Sequence, residues 1–245
     1  MPTFFVTPEA VVPPVIRITG SLLRHLRDSL RLQPGEPLVV TEERGRRYRT
    51  EVTKVTAQAI ESLIVETAAA PMRTSPQVVF APAILKGERM DWVVQKATEL
   101  GVDFIVPVHT KHGVVKIQPA RVEHQRARWQ RIALEAAQQS ERWTVPTIAE
   151  PTDLSRVPAA YPTAAKLILA ERLSETSIAT VPLPTGPDQM IVLLIGPEGG
   201  WDEEEQRFVQ KEGVTTLTLG SRILRAETAA IAALSILQSR LGELG

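Results

Sequence analysis

The chain has 245 residues, with 28 Lys and Arg against 28 Asp and Glu and 43% hydrophobic content, a length that suits one large or two smaller domains. A formal net charge of zero excludes nucleic-acid binding through bulk charge alone, though not through local basic patches. The absence of cysteine excludes disulfides, thiolate metal sites, iron–sulfur clusters and cysteine nucleophiles, and fits a reducing cytoplasm.

Residues 1–70 read as β-rich. Val15–Ile18 is a short strand, and Ser21–Leu32 has apolar residues at helical spacing. Gln33-Pro34-Gly35 is turn chemistry. Leu38–Val40 and Tyr48–Thr56 then form a hairpin around Arg44-Gly45-Arg46-Arg47, and Ala59–Glu66 is a further strand. Many short strands with one helix predict a small barrel. Residues 71–76 read as a linker, and 77–245 as a second domain. There, buried-strand runs at Val78–Ala81, Phe104–Val108, Leu167–Ala170, Ile191–Ile195 and Leu217–Leu219 alternate with helices. The helices are predicted over Glu88–Leu100, Arg121–Trp143, Asp202–Gly213 (opened by an Asp202/Glu205 capping box) and Glu227–Leu241. This alternation predicts an α/β fold with a parallel sheet.

Two segments carry the chemistry. The apolar run ending at Ile195 stops at Gly196-Pro197-Glu198-Gly199-Gly200, and Leu219-Gly220-Ser221-Arg222-Ile223-Leu224-Arg225 opens the last helix. Both follow strands, and open α/β sheets bind ligands at strand C-terminal ends. The first loop precedes Asp202, Glu203, Glu204 and Glu205 and lacks a P-loop lysine, so it suits a cationic or polar neutral ligand better than phosphate. A tight connection with no ligand is the alternative. Arg225, flanked by Ile223, Leu224 and Ala226, emerges at a core edge where its fork can grip an anion. Arginines cluster on the predicted hairpin and along 121–131, which fits an uneven field against a phosphate backbone, or merely solvated faces. His109 and His112 are three apart, but no third ligand is near, so no metal is expected. The start Met1–Phe5 lacks the pattern of a signal peptide, and no apolar stretch is long enough for a membrane span.

These two segments, with Lys86–Asp91, Gln95–Val102 and Glu135–Ser140, resemble the bacterial 16S ribosomal RNA uridine-N3 methyltransferase family of the SPOUT class. One departure is Glu141, where the family has a small residue. The resemblance covers nearly the whole chain. It implies an N-terminal PUA-like RNA-binding barrel and a C-terminal domain tied in a deep trefoil knot. It also implies S-adenosylmethionine as cofactor, a homodimer with each site completed by the partner, and methylation at N3 of a specific uridine in the 30S subunit. The cofactor is then expected at Leu169, Leu194, Ile195, Gly196, Glu198, Gly199, Gly200, Leu217, Leu219, Gly220, Ile223, Leu224 and Thr228. Arg225, Glu198 and Glu227 are the expected catalytic groups, and Arg24, Arg27, Arg46, Arg47 and Arg142 the expected RNA contacts. The competing reading is a catalytically silent RNA-binding assembly factor on the same fold.

Overall fold

The computed structural model describes residues 3–42, 45–170 and 176–244. They form two compact units: Met1–Met72 with Ala137–Val145, and Arg73–Ala136 with Pro146–Gly245.

In the first unit, strands β1 (Thr3–Val6), β2 (Val11–Val12), β3 (Val15–Ile18), β4 (Pro37–Glu42), β5 (Arg46–Val55) and β6 (Ile60–Ala69) make one sheet in the order β1-β4-β5-β6-β3-β2. The period of two is plain in β5, where Tyr48, Thr50 and Val52 are buried while Arg46, Arg49 and Glu51 face solvent. Ile16, Ile18, Leu38, Val40 and Ile60 complete this core. The expected helix at 21–32 is shorter: α1 (Gly20–Arg24) widens into a π turn over His25–Ser29, and it buries Leu23 and Leu26 in the same core.

Residues 137–145 fall outside the boundary drawn from sequence, which assigned them to the second domain. The predicted helix to Trp143 stops earlier, as α3 (Val122–Gln139). Glu141 then adopts φ of 52°, a left-handed backbone unusual for a non-glycine residue. The Arg47 guanidinium donates through Nη2 to the carbonyls of Glu141 (2.8 Å) and Arg142 (3.0 Å), and lies 4.0 Å from the Trp143 ring centroid. A cation over an indole face with two carbonyl acceptors holds this segment in the first unit.

The second unit contains β7 (Gln77–Pro82), β8 (Phe104–Ile105), β10 (Thr147–Ile148), β12 (Ala165–Leu169), β13 (Met190–Ile195) and β14 (Thr215–Leu217). They form a parallel sheet in the order β10-β8-β7-β13-β12-β14. β13 is buried from Ile191 to Ile195 and lies between β7 and β12, which is why it reads as an unbroken apolar run. The predicted strand 104–108 is split. Its second half, β9 (Val108–His109), pairs instead with β11 (Thr152–Asp153), and Pro107, which has no N–H for a ladder, stands at the break. β14 begins and ends two residues earlier than predicted. Helices α2 (Glu88–Glu99) and α6 (Ala226–Arg240) pack together. Val79, Ala81, Val192 and Leu194 share a core with Val157 of the short α4 (Val157–Ala160), with Trp201 and with Val209 of α5 (Glu203–Lys211).

Gly101 ends α2 with φ of 86°, and a Cβ there would come 2.9 Å from Gln238 Nε2, the group that donates to the Leu100 carbonyl. Gly101→Ala is expected to destabilise the chain by about 1–3 kcal/mol through combined backbone strain and displacement of Gln238. A shift in the urea midpoint at unchanged m-value checks this.

Candidate functional site

The register aligns three strand ends. Ile168 stands opposite Leu194, and Leu169 opposite Leu217, in parallel pairs. The loops after β12, β13 and β14 therefore leave the sheet at one edge. A cavity of about 710 Å³ opens there. Its wall comprises Leu169 and Ala170, the run Ile195–Trp201, Glu203 and Gln206 of α5, and Ile223–Ala226 with Ala229 at the start of α6. The two segments singled out from sequence thus meet on one cavity.

Among the expected cofactor residues, Leu169, Ile195, Gly196, Glu198, Gly199, Gly200, Ile223 and Leu224 line it, as does Arg225. Leu194 and Leu217 do not: both are fully buried, with their side chains in the core of the sheet. Leu219, Gly220 and Thr228 also lie outside the wall. Glu227 is not a wall residue, but its Oε2 is buried and has no hydrogen-bond partner among the described residues. Part of the loop after Leu169, residues 171–175, lies outside the described residues, as does Arg44 of the predicted hairpin.

Two glycines of the loop are required by what lies against them. A Cβ at Gly196 would come 2.9 Å from Trp201 Nε1, so only glycine lets the indole lie against the loop. That indole N–H donates to the Leu169 carbonyl at 2.8 Å, tying the end of β12 to the loop after β13. A Cβ at Gly199 would come 3.0 Å from His112 Cβ, and His112 Nδ1 lies 3.2 Å from the Gly199 carbonyl.

The acidic cluster is largely partnered. Asp202 and Glu205 form the expected capping box: the Asp202 side chain accepts from Glu204 N (2.9 Å), and Glu205 Oε2 accepts from Asp202 N (2.9 Å). Glu205 Oε1 accepts from Lys111 N at 2.9 Å, and the Lys111 ammonium pairs with Asp202 (3.2 Å) and Glu204. The Glu204 N–H, with Lys111 adding to it, holds the Asp202 carboxyl below its ordinary value; the hydrogen bond to Glu204 foremost raises the Lys111 ammonium. Glu198 pairs with Arg89, from the first turn of α2. The loop is therefore less negative than its sequence. Glu203 is the wall carboxylate with no ion-pair partner among the described residues.

Two of the expected RNA contacts are engaged within the protein. Arg27 donates from Nε and Nη2 to Asp28 (2.6 and 2.9 Å) and from Nη1 to the Ala57 carbonyl. Arg47 is held as described, and burial pushes its guanidinium down, Glu141 opposing. Arg142 is half-buried beside it, its carbonyl accepting from Arg47. Arg24 and Arg46 are exposed. Sequence reasoning missed Trp201, Arg89, Lys111 and His112. Trp201 directly follows the glycine loop and could have been found there; Arg89 lies in the Lys86–Asp91 stretch that carries the resemblance, and His112 reads only as half of a metal pair, so their contacts with the loop are what the sequence leaves out.

The family model described as an RNA methyltransferase domain matches residues 73–238, and that of an RNA methyltransferase PUA domain matches 18–65. The chain belongs to this RNA methyltransferase family. It is 32% identical over 233 residues to ribosomal RNA small subunit methyltransferase E of Bacillus subtilis, covering 91% of this chain and 89% of that one. Identity to the protein of the same name from Synechocystis is also 32%, covering 96% and 77%. The crystal structure of ribosomal RNA small subunit methyltransferase E from Neisseria gonorrhoeae bound to S-adenosyl methionine superposes with a TM-score of 0.87 at 30% identity, covering 98% of both chains.

Trp201→Phe removes the donor to the Leu169 carbonyl and is expected to lower stability by about 1–3 kcal/mol, read from denaturant unfolding. A carboxyl whose value falls on folding stabilises above its unfolded value, and that contribution is lost as pH drops through the folded one. Asp202→Asn should therefore be less stable than the parent at neutral pH, with the deficit shrinking as the pH falls below the ordinary 3.8. Unfolding curves at both pH values check it.

Proposed function

We propose that this chain is an S-adenosylmethionine-dependent methyltransferase that methylates N3 of one uridine, U1498, in 16S ribosomal RNA of the 30S subunit. The observation that carries this reading is the closing of residues 196–200 and 223–226 on one cavity. Its volume of about 710 Å³ lies in the usual range of about 300–1,000 Å³ for small-molecule sites.

The residues present fit the cofactor. Leu169, Ile195, Ile223 and Leu224 offer an apolar slot for an adenine. The glycine loop presents backbone groups without side chains in the way. Glu203, the wall carboxylate with no ion-pair partner among the described residues, supplies negative charge toward a sulfonium. When bound, the cofactor supplies an electrophilic methyl group. The protein's own task is to free the uridine N3 lone pair, since N3 carries a proton. Arg225 in the wall stabilises the anion left when that proton departs. Glu227, with its buried Oε2 lacking a partner among the described residues, suits the proton acceptor. Glu198, whose carboxylate is engaged by Arg89, suits orientation better than proton transfer.

The remaining parts of the reading follow. Residues 1–70, overlapping the PUA match, act as the RNA-binding domain, 71–76 as linker and 77–245 as the methyltransferase domain, save that 137–145 fold with the first unit. Arg24 and Arg46, both exposed, and the half-buried Arg142 are the cations this reading assigns to RNA. The second domain carries a deep trefoil knot. In support, β13 inserts between β7 and the earlier β12, and Thr176 and Ile178, between those strands, hydrogen-bond with Thr218 beyond β14 (2.9 and 3.2 Å). The protein works as a cytoplasmic homodimer; Ile223, 65% exposed at the cavity, is apolar surface for a second copy to cover.

Incubation with labelled S-adenosylmethionine and methyl-deficient small subunits, followed by mapping of the product, tests the assignment. Methyl at N3 of U1498 is the expected outcome; label elsewhere, or none, overturns it. Arg225→Ala should lower the transfer rate by about 10²–10³-fold, the usual loss for one charge-stabilising donor, with cofactor affinity by calorimetry nearly intact.

A further inference from the structure

We propose that Arg89 and Lys86 form a phosphate subsite that holds the RNA strand at the mouth of the cavity. The proposal rests on the reading of the chain as an RNA methyltransferase, which supplies the polyanion. It begins with the sheet. β7 pairs with β13 as far as Pro82 opposite Ile195, and the pairing continues with Ala83 N donating to the Ile195 carbonyl at 2.8 Å. The chain after β7 therefore leaves the sheet at the edge where the glycine loop begins. Gly87, at φ of 60°, turns it into α2, and from the first turn of that helix Arg89 reaches Glu198 in the cavity wall.

This pair sits at a rim. The Arg89 side chain is 44% exposed and that of Glu198 31%. Exposed ion pairs contribute only about 0–1 kcal/mol to folding, so stability alone is a weak reason for an arginine there. A guanidinium has five donors in a rigid fork, and one carboxylate engages two at most. With the side chain 44% exposed, a phosphate can take up a remaining donor. Lys86 is exposed and has no partner among the described residues. Arg225 lines the wall of the same cavity as Glu198. A nucleotide entering the cavity brings its own phosphates past these cations. Glu198 holds the Arg89 fork at the cavity wall before RNA arrives. In the first unit, by contrast, Arg27 and Arg47 are engaged within the protein.

The test uses the full-length protein, methyl-deficient small ribosomal subunits and S-adenosylmethionine. Binding of subunits is measured over a range of monovalent salt at fixed magnesium, and cofactor binding by calorimetry. Each of Arg89→Gln and Lys86→Gln should weaken subunit binding and reduce the slope of log K against log salt by up to about 0.9, the value for one phosphate contact on duplex. Cofactor affinity should hold. Unchanged subunit binding and slope in both variants overturns the subsite. So does loss of cofactor affinity in Arg89→Gln with the RNA slope intact, because the arginine then serves only the glycine loop. Lys86→Gln changes an exposed side chain, so it remains decisive if Arg89→Gln misfolds. A parent protein that binds subunits with the full slope but transfers no methyl overturns the proposed activity and leaves the subsite standing.

Discussion

One indole N–H joins two strand ends, and the cavity depends on it. Trp201 donates to the last carbonyl of β12 while its ring lies against the first glycine of the loop after β13. Leu169 ends β12 and Gly196 directly follows β13; the parallel pairing of these neighbouring strands brings their ends level, but pairing alone does not fix the loops beyond. The tryptophan does so from inside, because it is also part of the core with Val192, Leu194 and Val209. The glycine is the necessary counterpart, since any Cβ at 196 would meet the indole.

Around that contact the charges are paired across elements. Arg89 comes from α2, and Lys111 and His112 from the turn after β9, and all three meet the loop or the cap of α5. A run of acids that reads as strongly negative in sequence is in the fold a set of caps and ion pairs. What remains for a ligand is narrower: an apolar slot, open backbone, Glu203 and Arg225. A site built in this way holds its polar groups in place before a ligand arrives, which is how electrostatic preorganisation lowers barriers.

The apolar periodicities made most of the architecture legible. β13 and β7 are continuous hydrophobic runs because they are covered on both faces, and α2 announces itself through Met90, Val93, Val94 and Ala97. The two loops were legible as a site because glycine, proline and charge are concentrated at strand ends. Other features depend on partners distant in sequence. Nothing local distinguishes Arg47, which stacks on Trp143, from Arg46 beside it, which is exposed. Leu194 and Leu217 sit next to loop residues in sequence, yet alternation along a strand turns their side chains into the core. The helical pattern of α3 runs on past Gln139 in the sequence, whereas Glu141 takes a backbone conformation that its residue type disfavours.

The grasp of Arg47 on the turn after α3 also bears on how the chain is made. Its guanidinium and the Glu141 carbonyl are 94 residues apart. During synthesis the N-terminal strands emerge early, but the first unit stays unfinished until nearly a hundred more residues have followed. For that interval Arg47 has neither its carbonyls nor its indole. Closing so long a loop costs little more than closing one of half its length, since the entropy grows only with the logarithm. The nascent protein therefore waits on translation more than on a chain search, and the N-terminal strands cut off from the 137–145 segment would be a gene fragment without its own latch.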